Sequence, residues 1–212
     1  MALLSGRNEF CSSPTLSSRP AERICKPGAG STWSPSRLTT MNLRPLLDKL
    51  HRTRDKFEKA ARRVPEKNWR TPPREGAWSA AEVVAHVIMV ETLMTGAAAK
   101  ITKKPPLPVP LWKRFHIPVA LVTWRGLRVE SPIPLDTLLL DDREAMLSHL
   151  IQQRQRTLSV LQSGGDSDFR RYRVQHPLLG SLHYYDWFRT LAAHDERHTK
   201  QLHEIIKVHK IS

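Results

Sequence analysis

Four stretches of the chain place apolar residues three and four positions apart, and this spacing constrains the fold more than any other feature. Such spacing puts the apolar side chains on one face of an α-helix, and that face must be buried against another element. The stretches cover roughly residues 43–64, 79–100, 141–163 and 183–207. Since no convincing strand pattern lies between them, they predict an all-α fold built as a four-helix bundle.

Turn and capping residues support these boundaries. Ser79 and Glu82 form a capping box at the start of the second stretch, and Asp141 with Glu144 suggests a second capping pattern at the third. Residues 103–137 contain seven prolines and one apolar run. This segment is interpreted as a long Pro-rich crossover between the second and third helices.

The first 40 residues have a different composition. They contain 19 Ser, Thr, Pro or Gly residues and show no periodic pattern, so they cannot bury enough apolar surface to offset the entropy of ordering. We expect a disordered N-terminal extension over 1–40, with Met41 as the natural start of a domain over 41–212. Both cysteines, Cys11 and Cys25, lie in the extension, which fits a reducing, cytoplasmic protein and leaves the domain without thiolate ligands.

The net charge of +14 is concentrated in two segments. Residues 41–76 hold 11 basic and 5 acidic residues, and residues 100–130 hold 7 and 1. A solvated basic surface is the favoured interpretation, and an anion-binding face is the alternative. No nucleic-acid-binding motif accompanies the charge, so nucleic acid is not favoured as a partner. No apolar run reaches about 18 residues, so no membrane span is expected.

Three histidines are the candidate metal ligands. His194 and His198 are four residues apart on the apolar face of the fourth helix, and His86 lies on the apolar face of the second. Two imidazoles at this spacing can reach one metal ion, and a third from a facing helix would complete the site. The alternative is an ordinary buried histidine pair. A zinc-protease motif is excluded because Asp195, not Glu, follows the first histidine.

These segments resemble the DinB/YfiT-like superfamily of four-helix-bundle proteins. The resemblance covers about residues 43–207 and is carried by Trp78–His86, His176–Gly180, Asp186-Trp187, His194–His198 and Gln201. It implies that His86, His194 and His198 bind a divalent metal, zinc or nickel. It also implies an activity of either hydrolysis or transfer of a low-molecular-weight thiol.

Other residues carry weaker expectations. Arg154 interrupts the apolar face of the third helix and is interpreted as a rim arginine, with a clamp for a substrate carboxylate as the alternative. Trp78 and Trp187 are expected to pack in the core or against a loop, with the lining of a substrate pocket as the alternative. Gln201 is expected to form inter-helix hydrogen bonds, with orientation of a metal ligand as the alternative. No general base can be named, because neither Asp195 nor Glu196 clearly points into the core.

The sequence leaves three classes of function open. The first is a metal-dependent enzyme acting on a small molecule, as a hydrolase or a thiol transferase. The second is a non-catalytic metal-binding or stress-response bundle, and the third is a basic nucleic-acid-associated protein. A homodimer is also left open.

Overall fold

Five α-helices and one β-hairpin make up the part of the chain described by the computed structural model, residues 42–106, 142–163, 169–176 and 179–209. All of these residues belong to one unit, Thr39–Ser212. In chain order the elements are α1 (Arg44–Arg62), α2 (Glu66–Trp69), α3 (Ala80–Ile101), α4 (Arg143–Gln162), β1 (Arg173–His176), β2 (Gly180–His183) and α5 (Tyr184–Val208), with a 3₁₀ turn at Phe169–Arg171.

The mostly helical prediction is confirmed, and the four long helices lie where the apolar spacing placed them. The short helix α2 was not predicted. The expected disordered extension, 1–40, lies outside the described residues, as does the crossover from residue 107 onward.

The helix starts follow from local capping chemistry. At α3, the Glu82 amide donates to Ser79 Oγ over 3.3 Å, and Glu82 Oε2 accepts from the Ser79 amide over 2.7 Å, so the predicted capping box is present. At α4 the cap is Asp142 rather than the predicted Asp141. The Ala145 amide donates to Asp142 Oδ1 over 2.8 Å, because Asp142 is the extended residue directly before the helix.

The apolar core consists of two clusters, each with members from all four long helices. The first cluster includes Phe57, Val83, Leu147 and Leu202. The second includes Leu50, Met94, Leu158 and Leu191. In α1 and α5 the chain passes from the second cluster to the first, whereas in α3 and α4 it passes from the first to the second. The long helices therefore run as two pairs of opposite direction.

A two-stranded antiparallel hairpin precedes α5, where the sequence showed no convincing strand pattern. Arg173 pairs with His183 at one end of β1 and β2, and His176 pairs with Gly180 at the other. Gly180 has a φ of 81°, and the Leu179 amide donates to His176 Nδ1 over 3.1 Å near the turn. Four-residue strands are too short to show a reliable alternating pattern, which explains why the sequence did not reveal them.

By length and composition α3 is apolar enough to cross a membrane. However, 61% of the apolar 18-residue segment of α3 is buried inside the protein, as expected of a core helix. This is no strong membrane signal, and the described part of the chain is compatible with a soluble protein.

Candidate metal centre

The structure brings together the three histidines that the sequence singled out. Nε2 of His194 lies 3.1 Å from Nε2 of His86 and 3.2 Å from Nε2 of His198. One potential ligand atom from each of the three side chains falls within 4.8 Å of the others. His86 comes from α3 and His194 with His198 from α5, so only the packing of these helices creates the cluster.

The nitrogen spacing suits a single divalent ion. Two nitrogens bound at about 2.0–2.1 Å in a tetrahedral arrangement lie about 3.3 Å apart, close to both measured separations. Hydrogen bonds among three clustered Nε2 atoms cannot satisfy all of them at once, since a neutral imidazole carries one proton. His86 Nδ1 is also buried and has no hydrogen-bond partner among the described residues. The donor set therefore fits zinc or nickel, which imidazole nitrogens bind well.

Burial favours the neutral form of two of the three imidazoles. It lowers the pKa of His86 to about 4. The pKa of His194 is lowered well below its ordinary value by burial first, and then by the nearby His198, His86 and Arg54. Both imidazoles are therefore neutral at pH 7, which is the form that binds metals.

Neighbouring side chains orient the imidazoles. Gln201 Oε1 lies 2.8 Å from His198 Nδ1 and can accept a hydrogen bond from it, and in that tautomer His198 Nε2, 3.2 Å from His194 Nε2, is the unprotonated nitrogen. This contact lies within α5 and reaches a candidate metal ligand, so it is not the expected inter-helix hydrogen bond. Trp78 is partly buried and packs on His86 with ring centroids 4.9 Å apart. Trp187 is buried, as expected, and its Nε1 donates to Met94 O over 2.8 Å.

Beside the histidines lies a polar group that the sequence interpretation missed. Each long helix contributes one buried charge: Arg54 from α1, Glu91 from α3, Arg154 from α4 and Asp195 from α5. We call these four residues the charge layer. Each side chain is at most 4% exposed. Along each helix they fall between residues of the first apolar cluster and residues of the second.

Both interpretations of Arg154 are wrong, because its guanidinium is buried and fully engaged within the protein. Nε donates to Glu91 Oε1 over 2.8 Å, Nη2 to Asp195 Oδ2 over 2.9 Å, and Nη1 to the Leu50 carbonyl over 2.8 Å. Arg54 Nη2 donates to Asp195 Oδ1 over 3.0 Å and also contacts Glu91 Oε2. Each arginine thus contacts both carboxylates.

The charge layer has a visible sequence signal. Arg54 follows Leu50 by four residues and precedes Phe57 by three, and the other three charges interrupt apolar faces in the same way. Each of the four apolar helix faces thus contains one charge, two of them positive and two negative. This is the pattern expected when charged side chains are buried as ion pairs. Burial alone would raise the pKa of Glu91, but Arg54 and Arg154 outweigh it and hold that pKa below its ordinary value.

The fold and the histidine cluster together define a helical protein with a candidate metal centre. Residues 49–202 match the family profile of the DinB superfamily, a span that includes all three histidines and the whole charge layer. The chain belongs to the DinB superfamily. A comparison with curated proteins finds no match.

Proposed function

We propose that the protein is a divalent-metal-dependent enzyme of the DinB-like class, with His86, His194 and His198 as the metal ligands. The observation that carries the proposal is the convergence of three Nε2 atoms from two helices, two of the imidazoles being held neutral by burial. Zinc or nickel is the proposed metal.

We further propose that α1, α3, α4 and α5 form the four-helix bundle of the family, in a domain over 41–212. The helix directions support a long crossover. A connection between two helices that run the same way, as α3 and α4 do, has to span about one helix length, about 33 Å for the 22 residues of α3. The Pro-rich segment between them is long enough to do so.

When bound, the metal would supply Lewis acidity towards a substrate oxygen or a thiol. Three neutral ligands would leave its full positive charge available to a reacting group. His194 is the least buried of the three histidines, and its intermediate exposure supports access for a small molecule. Gln201 would hold the His198 ring in its binding orientation, and Trp78 would shield the His86 side of the site. The proposed reactions are hydrolysis and transfer of a low-molecular-weight thiol.

The acids next to the ligands do not support a role as general base. Asp195 is committed to Arg54 and Arg154, and Glu196 faces outward with its carboxylate 3.9 Å from Lys49 Nζ. A proton released by bound water or by the thiol would therefore pass to the substrate or to solvent.

A non-catalytic metal-binding bundle is the second candidate. The observation that favours it is the burial of His86 and His198, each 6% exposed, because structural metal sites are closed whereas catalytic sites keep an open position. In either case we propose a cytoplasmic protein.

The test is turnover by protein loaded with Zn²⁺ or Ni²⁺. A panel of esters, amides and thiol-plus-electrophile pairs is assayed with wild type, His198→Ala and His203→Ala. His203 is an exposed histidine on the same helix and serves as the matched control. Metal-dependent turnover that is lost in His198→Ala and kept in His203→Ala supports the enzyme. One bound metal without turnover on any pair would favour the non-catalytic bundle, and no bound metal would refute both.

A further inference from the structure

The charge layer includes one residue from each of the two helices that carry the histidine cluster, Glu91 on α3 and Asp195 on α5. We propose that its four residues are positioning residues for the metal centre: they hold α5 against α3 at the spacing and register that let His86, His194 and His198 share one ion. This inference rests on the proposed metal binding.

The layer joins α3 to α5 through two bridges. Glu91 on α3 and Asp195 on α5 do not contact each other by hydrogen bonds and carry the same charge. Arg154 contacts both carboxylates from the α4 side, and Arg54 contacts both from the α1 side. Two opposed guanidinium groups therefore set the separation of the two carboxylates.

These carboxylates are close in sequence to the ligands. Asp195 directly follows His194, so any shift of the Asp195 backbone moves His194 with it. Glu91 follows His86 by five residues on α3, which is about 7.5 Å along the helix axis. A displacement of α5 relative to α3 would break the bridges and separate the histidines together.

Directional bonds fix a register more tightly than apolar contacts do. Arg154 is held by its bond to the Leu50 carbonyl, and Glu91 Oε1 also accepts from Thr157 Oγ1 over 2.7 Å. Apolar side chains of the right volume would fill the same space while allowing helices to repack. Buried polar or ionic groups fix a unique arrangement in some proteins, and that is the role proposed for the charge layer. A metal site needs such an arrangement, because its ligand distances are narrow.

Arg154→Gln separates positioning from electrostatics, because the two effects have opposite signs. Loss of a buried positive charge near the site would, through space, increase the affinity for a dication. Loss of the bridge would weaken Zn²⁺ binding by at least about tenfold, which is the lower end of the loss seen when a side chain that supports a metal ligand is removed. Zn²⁺ affinity of the full chain is measured by competition titration below the melting temperature of each variant. The absorption spectrum of bound Co²⁺ reports the coordination geometry.

Two further variants complete the test. Arg154→Lys keeps the charge but cannot bridge two carboxylates through a planar fork, so it should also lose Zn²⁺ affinity and alter the Co²⁺ spectrum. It also remains informative if Arg154→Gln does not fold. Arg62→Gln removes an exposed guanidinium that pairs with Glu144 over 2.7 Å and should leave both readouts unchanged.

Weaker Zn²⁺ binding in both Arg154 variants, with wild-type binding in Arg62→Gln, supports the inference. Unchanged or tighter binding in folded Arg154 variants, with an unchanged Co²⁺ spectrum, overturns it and leaves the proposed metal site intact. If wild type itself binds no Zn²⁺ or Co²⁺, the proposed metal site fails and the inference falls with it.

Discussion

Replacing His86 with alanine is the most direct test of the three-histidine site. His86 is 108 residues away from His194 in the chain, and its Nε2 reaches the cluster only because α3 packs against α5. We expect His86→Ala to lose most of the stabilisation that a divalent metal gives to the folded protein. A protein whose two α5 histidines were merely a buried pair would show no such loss.

The expected loss of Zn²⁺ affinity in His86→Ala follows from the share of the binding free energy that each ligand contributes. Structural zinc sites with four ligands supply roughly 10–16 kcal/mol, or about 2.5–4 kcal/mol per ligand. Loss of one ligand should therefore weaken binding by about 10²–10³-fold. At a Zn²⁺ concentration 100 times the wild-type Kd, metal stabilises wild type by about 2.7 kcal/mol, but a hundredfold weaker variant by only about 0.4 kcal/mol.

The assay is thermal unfolding with and without Zn²⁺, each variant being compared with its own metal-free form. For a chain of this size the metal should raise the Tm of wild type by about 5–11 °C and that of His86→Ala by about 1–2 °C or less. Because each comparison is internal, any cost of the substitution to folding cancels. His203→Ala should behave as wild type. A full metal-induced Tm shift in His86→Ala would refute the site.

Four further outcomes are expected. Gln201→Leu should weaken Zn²⁺ binding by about 10–100-fold in titration calorimetry, because His198 loses its acceptor, whereas Gln201→Glu keeps one and should bind more like wild type. The metal-free protein should lose roughly 3 kcal/mol of stability from His86 alone as pH falls from about 6.5 to about 4, since the unfolded chain takes up a proton that the folded chain excludes; the difference in urea-unfolding free energy between wild type and His86→Ala should change by this amount, and a constant difference would contradict the burial of the imidazole. Ser79→Ala should cost about 1 kcal/mol in urea unfolding through loss of the α3 cap, and an unchanged midpoint would contradict the capping role. Deletion of residues 1–40 should leave the helical circular dichroism signal and Zn²⁺ binding intact, and a large drop in Tm would contradict the predicted domain boundary.

The long helices and the histidine cluster were predictable from the sequence for a simple reason. Helical spacing puts residues on one face regardless of the partner, so Leu191, His194 and His198 revealed a buried face before the structure did. His86 could be added because it lies on the equivalent face of another helix. Only the structure shows which helices pack against each other and at which positions along their axes.

The charge layer and the hairpin were not predictable in the same way. Each of the four charges interrupts the apolar face of its own helix, but spacing within one helix does not reveal that Arg154 pairs with Glu91 and Asp195 on other helices. A single charged residue on an otherwise apolar helix face, considered without its partners, suggests a position at the edge of the core. The hairpin depends on tertiary packing, since Val174 and Leu182 become buried only against the second apolar cluster.

The charge layer also bears on how sequences of this kind can change. Removing any one of its members leaves a buried charge without compensation, a loss of about 3–5 kcal/mol that can consume much of a domain's stability. Replacing members of opposite sign together, with apolar residues of similar volume, avoids that loss. The four positions should therefore change as a set during divergence, and a relative that lacks Glu91 should also lack at least one of the two arginines.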